Sequence, residues 1–386
     1  MNDQMLLIFP ILIFIIFAAG AKIFHGGSIN TEAWSVGQAK TMQVFAALMI
    51  ILHHTVQIIT NCTRIDKGLI TRWNSFGILF TSIFFFFSGF GLFKGCKEKE
   101  NYLNGFLFHR LSKVLIPFMI TNIIYLITIG PTRITKLRHV FTSIFGFTLM
   151  NTNAWFIINI VILYIAFYIF FRHSRSENAA IIKLTVFTII FVGISLLLGH
   201  DKSAVRGHWF MGEWWYNTTL IIILGIIVAK YEVQLKVFAS KLYPAKLIFF
   251  AVLLTGSYFL SEYLTQHFGY YAEWEGHPGY KEKLISLLGQ TLLCIVFILF
   301  LLLINIKVRF GNPVNRYLGK MSYEIYLIHD IFRRLLPAGP DGTMPDMEYI
   351  ALTYLFSLIC AWLLYMIDRF ILRIIAAKHQ KKSDAH

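Results

Sequence analysis

Charge is scarce in this 386-residue chain. Only 14% of its residues are Asp, Glu, Lys or Arg, against roughly a quarter in ordinary soluble domains. Cysteine is scarce as well. Cys62, Cys96, Cys294 and Cys360 lie far apart with no CxxC spacing, which argues against a disulfide framework or a metal cluster. Cys294 and Cys360 sit inside apolar runs, where cysteine behaves as a small hydrophobe. There is no internal repeat, no low-complexity linker and no stretch that reads as a soluble domain. The first apolar run lacks an early basic region and a small-residue cleavage site, so it reads as a span rather than a signal peptide.

What is abundant is apolar and aromatic surface: 57% hydrophobic residues, 16% aromatic, 37 of them Phe. That composition belongs to membrane proteins. The net charge of +15 then reflects basic loops kept on the cytoplasmic side, not a nucleic-acid partner. Asn61-Cys62-Thr63 and Asn217-Thr218-Thr219 match a glycosylation pattern that is common by chance.

A membrane helix needs about 20 apolar residues. Eleven runs qualify: about 5–24, 41–59, 76–94, 114–130, 155–171, 182–199, 216–229, 246–264, 284–304, 321–338 and 349–371. The run 216–229 is short, and 321–338 holds Glu324, His329 and Asp330. The expectation is therefore an all-α, polytopic integral membrane protein with about 11 transmembrane helices. With the N-terminus outside, 23 of the 35 Lys and Arg fall on inside segments. This bias predicts a cytoplasmic C-terminal tail in a cell (plasma) membrane protein.

Ionisable groups within lipid are functional candidates by default. The stretch QVFAALMIILHHTVQ, Gln43 to Gln57, carries two. His53 and His54 point about 100° apart on a helix, so they are not expected to face one site. Gln43 and His54 share a face roughly 16 Å apart, and His54 lies about 21 Å beyond Lys40. A buried imidazole that stays neutral suits a general base; the alternative is a histidine bonded to a neighbouring helix. In FFFFSGFGLFKG, Ser88, Gly89, Gly91 and Gly95 favour close helix packing. In FLFHRLSKVLIPF, Arg110 and Lys113 either bind phosphates or meet anionic lipid head groups. In LGKMSYEIYLIHD, Ser322, Tyr326 and His329 recur at helical spacing with Glu324 between them, which makes pure packing a poor explanation.

These four stretches, in this order, resemble the acyltransferase 3 family of multispan membrane acyltransferases. QVFAALMIILHH resembles the family's first core helix, in which an Arg precedes a His with ten residues between. FFFFSGFGL resembles its FFxxSGF segment, and Asn153-Ala-Trp-Phe156 a further element. FLFHRLSKVLIPF and LGKMSYEIYLIH resemble two more. The resemblance runs from about residue 40 to 371. It divides the chain into an N-terminal helix and loop (1–39), a ten-helix acyltransferase domain (40–371) and a basic tail (372–386). It implies transfer of an acyl group, most often acetyl, from cytoplasmic acyl-CoA to a hydroxyl of a sugar, cell-surface polysaccharide or glycolipid. Acyl-CoA, the glycan acceptor and membrane lipid are then the partners, with no metal and no nucleic acid. Some relatives carry a fused extracytoplasmic domain; here any such step is expected to need a separate partner or to be absent.

Carried over position by position, the resemblance makes His54 and Gln43 the catalytic pair. Lys40, Arg110, Lys113, Ser88, Trp155, Tyr326 and His329 form the substrate-binding set. Gln43 stands where the family has Arg, and glutamine cannot pair with phosphate or carboxylate. Either Lys40, one turn earlier, supplies that charge, or the donor differs or the activity is weaker. His54 acts as general base on the acceptor hydroxyl or takes the acyl group itself. The rival reading is a transporter or flippase of a lipid-linked saccharide. It predicts repeats and broken helices at midplane, whereas Pro10 and Pro117 lie near helix ends. A purely structural role leaves the intramembrane polar groups unexplained. A zinc site lacks a second ligand at i+3 or i+4 from the histidines.

Overall fold

The computed structural model describes residues 3–62, 64–130, 136–198, 209–210, 212–269, 277–339 and 342–383. Thr63 of the first glycosylation pattern, residue 199 of the sixth expected span and the last three residues of the tail lie outside the described residues. The protein is all-α, as the composition requires. Its helices are α1 (Ile8–Ala18), α2 (Val36–Ile59), α3 (Trp73–Glu98), α4 (Phe106–Thr128), α5 (Leu137–Ile144), α6 (Trp155–His173) and α7 (Glu177–Leu198). There follow α8 (Ile221–Lys230), α9 (Glu232–Ser240), α10 (Tyr243–Phe268), α11 (Tyr280–Lys307), α12 (Pro313–Leu318), α13 (Ser322–Leu335) and α14 (Asp346–Ser383). By length and composition α2, α3, α4, α6, α7, α10, α11 and α14 can each cross a bilayer.

The three remaining expected spans are shorter. The first runs from Asp3 to Ala18 and begins as a 3-10 turn. α13 has 14 residues and is packed between α2, α4 and α14. α8 has only 10 where 216–229 was expected. Residues Glu213–Trp215 form a 3-10 turn before it, and Asn217, Thr218 and Thr219 are buried. The Asn159 side-chain amide on α6 donates to the Trp215 carbonyl at 2.6 Å and to Thr219 Oγ1 at 3.1 Å. Irregular backbone is tolerated at membrane depth where protein surrounds and satisfies it. The same burial removes Asn217 from any glycosylating surface.

Ion pairs mark two ends of the bundle. At one, Lys94 of α3 meets Glu232 of α9 (3.0 Å) and Lys97 meets Glu177 of α7 (2.6 Å). At the other, Lys67 meets Asp346 at the start of α14 (3.2 Å) and Asp3 (3.9 Å). The start of the chain thus lies with the start of α14 and opposite the far end of α14. The two ends are named below by Lys40 and His54, which α2 carries toward each.

Close packing against α8 explains Gly89 of α3. A Cβ at Gly89 would come within 2.0 Å of the Ile222 carbonyl oxygen on α8, and one at Gly225 within 2.1 Å of that of Phe86. Gly91 has nothing within 4 Å. The extra N-terminal helix is bound into the core. Phe17 stacks on Phe310 and Phe45, and Asn315 donates to the carbonyls of Ile16 (3.2 Å) and Phe17 (3.1 Å). Beyond it, Lys22–Ile23 (β1) pairs antiparallel with Val308–Arg309 (β2). Buried Asn305 donates to Gln38 (2.7 Å) and accepts from the Trp34 amide (2.9 Å), fixing the loop before α2.

Candidate active site

α2 is capped by Ser35, whose hydroxyl accepts from the Gln38 amide at 3.3 Å, and runs without Gly or Pro from Gln38 to Ile59. It carries His54 toward the end away from Lys40. The His54 Nδ1 lies 3.1 Å from the Gln57 side-chain oxygen. That oxygen can only accept, so Nδ1 bears the proton and Nε2 holds the lone pair. Gln57 sits three residues on, the spacing at which helical side chains meet.

His329 of α13 is buried. Its ring stacks on that of His54, centroids 5.3 Å apart and planes 20° from parallel. Its Nδ1 donates to the Tyr326 carbonyl at 2.7 Å, and its Nε2 has no hydrogen-bond partner among the described residues.

His53 departs from the expectation that it turns away from the site. Both histidines line one cavity, with their rings 4.8 Å apart. The physical reason is Gly77 on α3: a Cβ there would lie 2.4 Å from His53 Nε2. The missing side chain lets the imidazole lie in the α2–α3 seam, with Nδ1 donating to the Trp73 carbonyl at 2.7 Å.

A chain of contacts holds the α13 side of the site. The Tyr326 hydroxyl donates to the Asn153 carbonyl, and the Asn153 amide donates to Asp330 at 2.9 Å. Asp330 is buried and paired with Arg333 and, at 2.6 Å, with Arg334. A buried carboxylate needs such partners.

The cavity encloses about 360 Å³, at the small end of ligand sites. α2, α6 and α13 contribute His53, His54, Gln57, Trp155 and Tyr326; α10, α11 and the turn before α8 contribute Tyr258, Glu262, Gln290, Glu213 and Trp214. The structure thus brings His54, Trp155 and Tyr326 together with His329 behind them.

Other expected site residues stand elsewhere. Gln43 is half-buried on α2 but does not line the cavity, which reaches α2 only from Ile50 onward. Lys40 and Lys113 are exposed toward the opposite end. Arg110 donates to the Tyr102 hydroxyl at 2.6 and 3.1 Å, and Ser88 lies on the α3 segment packed against α8. Glu324 is buried and does not line the cavity. Gln57, Glu213, Glu262 and Gln290 were not singled out from sequence. The rule applied to the histidines, that a polar group inside an apolar run is suspect, would have found Gln290 within 284–304.

The fold is a polytopic helical bundle in which His53 and His54 line a cavity and His54 stacks on His329. The acyltransferase 3 family model, described as an acyltransferase domain, matches residues 39–366, and the chain belongs to that family: it is a membrane acyltransferase. No curated protein matches the chain significantly.

Proposed function

We propose that the protein is an O-acyltransferase that moves an acyl group, acetyl in the simplest case, from acyl-CoA to a hydroxyl of a sugar, cell-surface polysaccharide or glycolipid. The observation that supports this best is His54 itself. Its Nδ1 is held by Gln57, which leaves Nε2 basic at a polar cavity. An imidazole oriented by a third group is the usual arrangement for activating a hydroxyl.

In the proposed reaction the acceptor hydroxyl oxygen attacks the thioester carbonyl carbon and its proton passes to His54 Nε2. The carbon–sulfur bond then breaks, and the departing CoA sulfur takes the proton back. His329 adds a second neutral imidazole against the first, and Tyr326 and Trp155 confine the acceptor. Lys40 lies about 21 Å from His54 by the rise of α2, and Arg110 and Lys113 on α4 lie toward the same end as Lys40. Under this reading they receive the nucleotide end of the donor, and its long arm carries the thioester toward His54. With Gln43 in place of Arg, the only fixed cation on that turn of α2 is Lys40. The basic-residue bias then makes the Lys40 end cytoplasmic and the His54 end extracytoplasmic.

The test is to supply acetyl-CoA with labelled acetyl carbon to membranes that hold the protein and to sequence the label by mass spectrometry. Base-labile acetyl ester on a glycan supports the reading. Thioester left unconsumed, with unlabelled saccharide moving across the bilayer instead, supports the flippase and contradicts it.

A further inference from the structure

The proposed reaction brings the thioester from the Lys40 end to His54, so the acyl group must cross whatever closes the cavity on that side. α13 runs beside α2 in the same sense. A Cβ at Gly319, before it, would lie 3.1 Å from the Lys40 carbonyl oxygen, and one at Gly339, after it, 3.6 Å from that of Ile58. Tyr326, three residues before His329, therefore stands about 4.5 Å nearer the Lys40 end. On α2 the cavity stops at Ile50. Ala47, about two turns below His54 on the same face, is fully buried.

The closing wall is aromatic. Phe84 of α3 and Phe156 of α6 do not line the cavity, and both pack on Tyr326, which does. The ring centroids lie 6.0 Å apart for Phe84 and Tyr326, 5.7 Å for Phe156 and Tyr326, and 5.8 Å for Phe84 and Phe156. Such distances are favourable for aromatic pairs. A carbon chain threading between two rings needs about 3.5–4 Å on each side, so the triangle is shut. Its members are not equally free. The Tyr326 hydroxyl is tied to the Asn153 carbonyl, and Phe156 also bears on Phe85, centroids 4.8 Å apart. Among the described residues Phe84 makes ring contacts with Phe156 and Tyr326 alone, so it turns aside at the least cost.

We infer that this triangle is the passage by which the acyl group reaches His54, and that Phe84 is the residue that sets how wide an acyl group is admitted. This rests on the acyl-transfer reading above, with the donor entering from the Lys40 end. A straight acyl chain is no wider than the cysteamine end of the donor that follows it. Branching beside the carbonyl adds a methyl group, and one misplaced carbon in an apolar passage is enough for tenfold discrimination or more.

The experiment uses membranes holding the full chain, which supply native lipid and acceptor, with membranes holding His54→Ala as the background. The donors are acetyl-, butyryl- and isobutyryl-CoA, the last two being isomers of equal carbon number. CoA release is read at low donor concentration, where it follows kcat/KM. The wild type is expected to use the acetyl and butyryl donors at least about tenfold better than isobutyryl. Phe84→Leu should shrink that ratio several-fold. Phe156→Leu, on a different helix, should shift it the same way and carries the test should the first variant fail to fold. Equal use of the two isomers by wild type overturns the proposal. So does equal refusal of both, because the depth of the cavity then sets the limit, or a ratio unchanged in both variants. CoA release no greater than background with every donor strikes instead at the acyl-transfer reading.

Discussion

At the residue scale the account turns on which atom of His54 is basic. Gln57 fixes the proton on Nδ1 by accepting from it, so removing that acceptor frees the ring to adopt the wrong tautomer. Gln57→Leu is expected to lower kcat for CoA release roughly 10²-fold, near the low end of what general base catalysis supplies. Gln57→Glu keeps an acceptor oxygen and should restore most of the rate; equal loss in both variants would show that packing, not orientation, is what Gln57 provides. Asp330 makes a different point. It is buried and paired with two half-buried arginines, so Asp330→Asn leaves these cations without their anion. A loss of about 3–5 kcal/mol is expected from such a break, read as a large drop in thermal or denaturant stability in detergent. Much of this scale was legible in advance: His54, Tyr326 and His329 stood out because polar groups in lipid need a purpose. What hid the rest was distance in sequence. Gln290 and Glu213 meet at 3.1 Å across 77 residues, and no local spacing announces such a contact.

At the scale of elements, apolar length and small-residue patterning were reliable guides, and intermediate geometry was not. The close α3–α8 approach follows from Gly89 and Gly225, each facing the other helix's backbone. Gly89→Ala and Gly225→Ala should each cost about 1–3 kcal/mol by overpacking, whereas Gly91→Ala, with open space around it, should be near neutral. Three equal effects in a thermal melt would contradict this packing. The early residues of 216–229 misled because apolar content signals burial, not helix. There Thr218 and Thr219 sit in a buried turn, where Asn159 from another helix donates to the Thr219 hydroxyl and the Trp215 carbonyl. The short helices α5, α9 and α12 escaped for the opposite reason, being too brief for a hydropathy window. His53 was misjudged because helical angle alone was considered. The vacancy that admits its ring belongs to Gly77 on the next helix.

At the scale of the whole molecule, the family model matches residues 39–366, α1 is bound to the bundle through Asn315 and Phe17, and eight of the eleven expected spans are long and apolar enough to cross a bilayer. The proposed base and the proposed donor-binding residues Lys40, Arg110 and Lys113 stand toward two ends, as the helix rise from Lys40 to His54 implied. Cysteine labelling can read which end faces out. Cys62 lines the cavity rim at the His54 end, and burial pushes its thiol above the usual range despite Arg333 and Arg64 nearby. Because the thiolate is the reactive form, labelling by a membrane-impermeant maleimide should be slow near neutrality and should rise with pH. In intact cells Cys62 should react and Cys96, toward the Lys40 end of α3, should react only after permeabilisation; the reverse pattern would invert the proposed orientation. The central claim is tested most directly by CoA release from acetyl-CoA with purified wild type and His54→Ala, both shown by thermal melting to be folded. Loss of turnover by roughly 10²-fold or more in the variant is predicted, and equal turnover in the two proteins would contradict the account.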